Sequence, residues 1–152
     1  MWLTPTPICP EIGSWNVKEK KAVLVGDGNA KISFTAMSDV GKLLVAALLR
    51  PEATHKRVLI VNSFTTTPAD VLVEFEKQTG SKWDVSYTPL EKLKELEKDA
   101  WEKNHPAAAV FTLRRIWSEG GTLYEKTDNE ALGNPEMETL EQQVKQAIAA
   151  QS

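Results

Sequence analysis

Lys21-Ala22-Val23-Leu24-Val25-Gly26-Asp27-Gly28-Asn29-Ala30-Lys31-Ile32-Ser33-Phe34 is the stretch on which the fold class turns. Two short apolar runs flank a Gly-Asp-Gly-Asn cluster. Asp27-Gly28 supplies residues that tolerate positive φ, as a tight turn between antiparallel strands requires. The spacing predicts a hairpin of residues 21–25 with residues 30–34. Ile32 and Phe34 alternate with Lys31 and Ser33, so the second arm buries one face.

Downstream, Ser38 to Leu49 reads as a helix, with Ser38 or Thr35 as its cap and Asp39 complementing the dipole in its first turn. Val40, Leu43, Leu44, Ala47 and Leu48 form its apolar stripe, and Pro51 stops it. Arg57-Val58-Leu59-Ile60-Val61-Asn62 is apolar on both faces, the pattern of an interior parallel strand. Thr67-Pro68 opens a second helix that buries Val71, Leu72 and Phe75 and closes at Gly80. Trp83, Val85 and Tyr87 alternate along a strand. Pro89 then opens a charged helix with Leu90, Leu93, Leu96 and Trp101 on one side, its lysines and glutamates paired along a solvated face.

His105-Pro106 restarts the chain into a helix carrying Val110, Leu113, Ile116 and Trp117, closed by Gly120-Gly121. A last helix, 135–149, spaces Leu140, Val144, Ala147 and Ile148 along one face. Upstream, the stretch to about Asn16 is irregular, with Trp2 and Trp15 needing cover. The order implies one α/β domain over residues 1–152: a small mixed sheet with flanking helices, with too few strands for a complete doubly wound sheet.

Of the 152 residues, 41% are hydrophobic and 26% charged, the composition of a chain that buries a core. A net charge of −3 gives no basic footprint, so neither nucleic acid nor an anionic membrane is an expected partner. The longest apolar run, Leu43 to Leu49, is far short of the roughly 20 residues that span a bilayer. Cys9 is the only cysteine, which excludes an internal disulfide, fits a reducing cytoplasm, and leaves no metal site to expect.

Several residues carry chemistry in principle. Gly26-Asp27-Gly28 resembles a phosphate loop in composition, but it leads into an alternating strand rather than a helix start, so it reads as a turn. Asp39 is a candidate base whose first-turn position already accounts for it. His105 is the weak catalytic candidate, since imidazole titrates near neutral pH, against the plainer reading of a turn residue. Trp2, Trp117 and Tyr124 are candidates for lining an aromatic-substrate pocket, although Trp117 also completes a core stripe. Arg114 and Arg115 sit among apolar neighbours, placed either to meet a cofactor phosphate or to form salt bridges.

The string Gly26 to Thr35, followed by Ser38-Asp39-Val40-Gly41-Lys42, resembles a region of the NmrA-like, isoflavone-reductase-like family. So do the Thr65-Thr66-Thr67-Pro68 helix start, Phe75-Glu76-Lys77-Gln78-Thr79-Gly80, and Leu113-Arg114-Arg115-Ile116-Trp117-Ser118-Glu119-Gly120-Gly121. The likeness runs from about Gly13 to Ala149 and rests on the order and spacing of these motifs together. It implies an atypical short-chain dehydrogenase/reductase relative, with a Rossmann half binding NADPH and a smaller half closing over a small organic substrate. The family's Gly-rich fingerprint, its N-terminal strands and the segment with its catalytic lysine or tyrosine have no counterpart here.

The expectation is therefore a partial Rossmann-like, C-terminal substrate-side portion, binding no cofactor on its own. Two alternatives stand beside it. One is a regulatory or binding module that offers its uncovered face to a protein partner or to itself; the other is a cofactor-free isomerase or cyclase.

Overall fold

The computed structural model describes residues 10–151. A 3-10 turn, Pro10–Ile12, leads into strands β1 (Ser14–Asn16), β2 (Lys21–Val25) and β3 (Ile32–Phe34). Helices α1 (Met37–Leu48) and α2 (Pro51–Thr54) precede β4 (Phe64–Thr66), α3 (Pro68–Thr79) and β5 (Asp84–Thr88). Helices α4 (Leu90–Glu102), α5 (Ala108–Ser118) and α6 (Leu140–Gln151) complete the order. Trp2 and Cys9 lie outside the described residues. The class is mixed α/β, with small sheets flanked by helices.

The predicted hairpin does not form. β2 pairs antiparallel with β1, Trp15 opposite Ala22, and parallel with β5, Ala22 opposite Val85. Both edges of β2 are therefore occupied, and no edge remains for the run that follows the turn. β3 pairs instead with β4 in a separate two-stranded sheet. A turn does form there, but of the Asp27-Gly28 pair only Gly28 has the expected positive φ, and Gly26 takes the other such position. Gly26 and Gly28 hold φ of 67° and 77°, and Asp27 Oδ1 accepts from Asn29 N–H at 2.9 Å. Ile32 and Phe34 are buried around a half-buried Ser33, so the alternation is correct even though its partner strand is another.

The three-stranded sheet is covered on both faces. Ala22 and Leu24 face a core of Trp15, Val71, Phe75, Trp83, Val144 and Ala147, which joins α3 and α6 to the sheet. Val25 turns the other way, toward Ile12, Leu93, Ala108 and Phe111 of the α4–α5 pair. The stripe anticipated for the last helix is the one buried: Val144 and Ala147 are fully enclosed, with Leu140 and Ile148 packed alongside.

Helix α3 has the predicted ends. The Thr67 hydroxyl accepts from Asp70 N–H at 3.0 Å, Asp70 reaches back to Thr67 N–H, and Gly80 closes the helix in the left-handed region. Thr67→Ala is expected to cost about 1 kcal/mol, measured as a lower urea midpoint. A midpoint equal to that of the parent would show that the box contributes nothing.

Three further expectations are corrected. No side chain caps α1: Ala36 is its N-cap, and the Ser63 hydroxyl accepts from Ala36 N–H at 2.9 Å. The helix buries Asp39, Leu43 and Ala46, whereas Val40, Leu44 and Leu48 of the expected stripe are exposed. Residues 57–62 are extended but form no strand. Their backbone bonds to side chains and an amide of the loop at 128–129. Ile60 N–H donates to Asp128 Oδ2 at 2.9 Å, and Asn129 Nδ2 donates to Asn62 O at 2.7 Å. An apolar run predicts an extended backbone, but a strand also needs a neighbouring strand.

Candidate functional site

The 3-10 turn, β2, β3 and α5 converge on a narrow, mostly apolar cleft of about 40 Å³, walled by Ile12, Val25, Ile32 and Phe34 and closed by Arg114 and Trp117. Space of this size holds about two or three waters. Helix α5 builds the closing wall. Residues 111, 114 and 118 lie three to four apart and share a side, with Phe111 anchoring it in the core. The Trp117 ring meets the edge of Phe34 at 5.6 Å, and Arg114 Cζ lies over the Trp117 ring at 5.0 Å.

The two adjacent arginines have different surroundings. Arg115 forms ion pairs with Glu97 at 2.6 Å and Glu119 at 2.8 Å, and the hydrogen bond it donates to Glu97 leads the influences that raise its pKa. Arg114 has no acidic group acting on it among the described residues; burial alone lowers its pKa to about 10. Part of the residue remains accessible, but its charge lies deep among protein atoms. At neutral pH it is still a cation.

A second polar cluster fastens α1. Asp39 is fully buried; its Oδ2 accepts from the Ser63 hydroxyl at 2.6 Å and from Glu138 N–H at 2.8 Å, while Oδ1 meets Lys42 Nζ at 2.9 Å. Burial is the largest influence on its carboxyl and opposes ionisation, but Ser63, Lys42 and Glu138 together hold the pKa below the usual range. Enclosed on every side, Asp39 acts as a clamp rather than a base.

Of the residues singled out from sequence, Arg114 and Trp117 line the cleft, and Trp2 lies outside the described residues. Tyr124 is 60% exposed on the loop beyond α5. His105 lies at the α4–α5 junction, where Nδ1 accepts from Ala107 N–H at 3.1 Å and the ring meets the edge of Phe111 at 6.1 Å. Phe34 and Ile12 were missed, because nothing in their local sequence separates a cleft wall from a core residue. The glycine loop does not fit a pyrophosphate. Gly26 N–H donates to Thr88 O and Asn29 N–H to Asp27 Oδ1, so these amides are already engaged. Among the described residues no group of three or more His, Cys, Asp or Glu is placed to hold a metal ion.

No family model matches the chain. An oxidoreductase, aprR, of Aspergillus flavus is 29% identical over 126 residues, covering 80% of this chain and 42% of that protein. The isoflavone reductase of Glycine max is 27% identical over 135 residues, covering 84% and 42%. Among solved structures, an isoflavone reductase superposes with a TM-score of 0.68 at 25% identity, over 83% of this chain and 43% of that one. The leucoanthocyanidin reductase of Vitis vinifera, solved as a binary complex with NADPH, shares the fold, with a TM-score of 0.62 at 17% identity over 84% of this chain and 44% of that one. The chain thus spans 42% of the length of these two curated relatives. In sequence and in fold it is a relative of the NmrA-like, isoflavone-reductase-like proteins.

Proposed function

We propose that this chain supplies the C-terminal, substrate-side half of an NAD(P)H-dependent reductase of small organic molecules, and that it holds no nucleotide by itself. One observation carries the reading. The outer side of α1 is apolar and bare: Val40, Leu44, Val45, Leu48 and Leu49 are all about half exposed or more, and Val58 of the adjacent extended segment is 89% exposed. An exposed apolar face of this extent on a helix is the kind that another part of a larger fold, or a partner, covers. Leu59 and Val61 of residues 57–62 pack against the same core as this helix. The names of the relatives supply the chemistry, and the share of their length that is matched leaves room for a dinucleotide half.

The test is titration of the chain with NADPH, alone and mixed with the dinucleotide half of an isoflavone-reductase-like protein. No saturable binding to the chain alone, with binding restored in the mixture, is expected. Micromolar binding to the chain alone overturns the proposal.

The same bare face favours a second reading, a module that engages a protein partner or a second copy. Among the described residues no helix is long and apolar enough to cross a membrane, and we place the protein in the cytoplasm. Joint substitution of Leu44 and Leu48 by Glu is expected to shift the chain toward monomer in light scattering and to reduce anilinonaphthalene-sulfonate binding. Both side chains are largely exposed, so stability should change by no more than about 0.5 kcal/mol per site. A parent chain that is already a monodisperse monomer, silent toward the dye, would remove the basis for this face as an interface.

A further inference from the structure

We propose that the cleft beside α5 binds a small organic monocarboxylate, its carboxylate on Arg114 and its apolar or aromatic body against Trp117 and Phe34. This deepens the reading above by naming a ligand class, and rests on it only in treating that ligand as a substrate.

Four features point to this class. Among the described residues, Arg114 is the only charged one lining the cleft. Its neighbour Arg115 is fully engaged by Glu97 and Glu119, while Arg114 meets no acidic group among the described residues, so a positive charge faces apolar walls without a counter-ion. Such a charge is costly unless paired, and an incoming anion pairs it. Arg114 Cζ lies over the Trp117 ring at 5.0 Å, and a guanidinium held on an aromatic face keeps its in-plane N–H groups for hydrogen bonding. Two parallel N–H donors match the two oxygens of a carboxylate.

The stoichiometry of charge decides between anions. One guanidinium balances one negative charge, and a phosphate dianion would leave the excess in an apolar cleft. The nearby glycine loop cannot contribute donors, since its Gly26 and Asn29 amides are engaged. The space of about 40 Å³ takes a carboxylate head and leaves the body along the Trp117 and Phe34 wall, toward the opening.

The experiment is calorimetric titration of the full chain with benzoate, its neutral analogue benzyl alcohol, and inorganic phosphate. Benzoate is expected to bind saturably and at least tenfold more tightly than either of the others. Arg114→Met should lose at least tenfold in benzoate affinity while melting no lower than the parent, because it removes an unpaired charge and keeps an apolar stem. Trp117→Leu should weaken benzoate and benzyl alcohol alike. Equal binding of benzoate and benzyl alcohol, tighter binding of phosphate, or unchanged benzoate affinity in Arg114→Met overturns the proposal. Should Arg114→Met not fold, Arg114→Lys decides, since loss of the planar fork must cost benzoate several-fold. The NADPH titration is read separately. Benzoate binding together with tight NADPH binding keeps this site and removes the truncated-reductase reading, whereas silence toward benzoate removes this site alone.

Discussion

Asp39→Ala is expected to lower stability by about 2–4 kcal/mol, read as a fall in the urea midpoint at neutral pH. The side chain is fully buried and ties three separated parts of the chain together: α1 through Lys42, the 63 turn through the Ser63 hydroxyl, and the approach to α6 through Glu138 N–H. Its removal leaves the Ser63 hydroxyl and the Glu138 amide short of an acceptor, at about 1–3 kcal/mol for each buried group left unsatisfied. Lys42 is largely exposed and adds little to the loss.

The same carboxyl makes stability depend on pH. Its folded pKa lies below the usual value, with burial outweighed by the bonds from Ser63, Lys42 and Glu138. The unfolded chain therefore takes up the proton first as pH falls. The contribution is complete above about pH 4, the ordinary aspartate value, and is lost as pH drops through the lower folded pKa. Asp39→Asn should flatten the acid limb of the stability profile over that window. An unchanged midpoint in Asp39→Ala at neutral pH would refute the clamp.

Phe75→Ala should cost about 3–5 kcal/mol, the range for an aromatic side chain removed from a closed core. Phe75 is fully enclosed, stacked on Trp15 at 5.1 Å and tilted against Trp83 at 4.8 Å. These rings join α3 to the sheet, and Val144 and Ala147 of α6 seal the same core. Rigid neighbours close poorly over a void, so the cavity term adds to the lost burial. Trp83 is also pinned by its Nε1–H bond to Thr79 Oγ1 at 3.0 Å. Phe75→Leu keeps most of the volume and should cost under about 1.5 kcal/mol. Calorimetry and indole fluorescence report both changes. An alanine variant that melts with the parent would place the principal core elsewhere.

Helix α3 shows how fully local chemistry can be read. Thr67, Pro68, Asp70 and Gly80 specify its ends through bonds within a few residues, and Val71 and Phe75 specify its buried side. Helix α1 shows the limit. Its stripe of Val40, Leu43, Leu44, Ala47 and Leu48 is a sound helical pattern, yet the described fold buries Leu43 of it together with Ala46 and Asp39 and leaves Val40, Leu44 and Leu48 exposed. Periodicity identifies a helix; where apolar residues such as Leu43 to Leu48 occupy more than one of its sides, periodicity does not say which side is covered. The candidate site was less legible still. Trp117 stood out as an aromatic, but the contrast between Arg114 and Arg115 depends on Glu97 and Glu119, of which Glu97 lies on another helix.

Taken alone, the chain's residues determined its class, most of its helices, the turn at Gly26 to Asn29 and its resemblance to the reductase family, because caps, turns and helical spacing act over a few residues. Tertiary structure decided which strands pair, sending β3 to β4 once both edges of β2 were filled, and it decided that residues 57–62 bond to a loop rather than a sheet. Backbone pairing joins segments far apart in sequence. A strand's own residues specify its face, but its partner depends on which edges the rest of the fold leaves open.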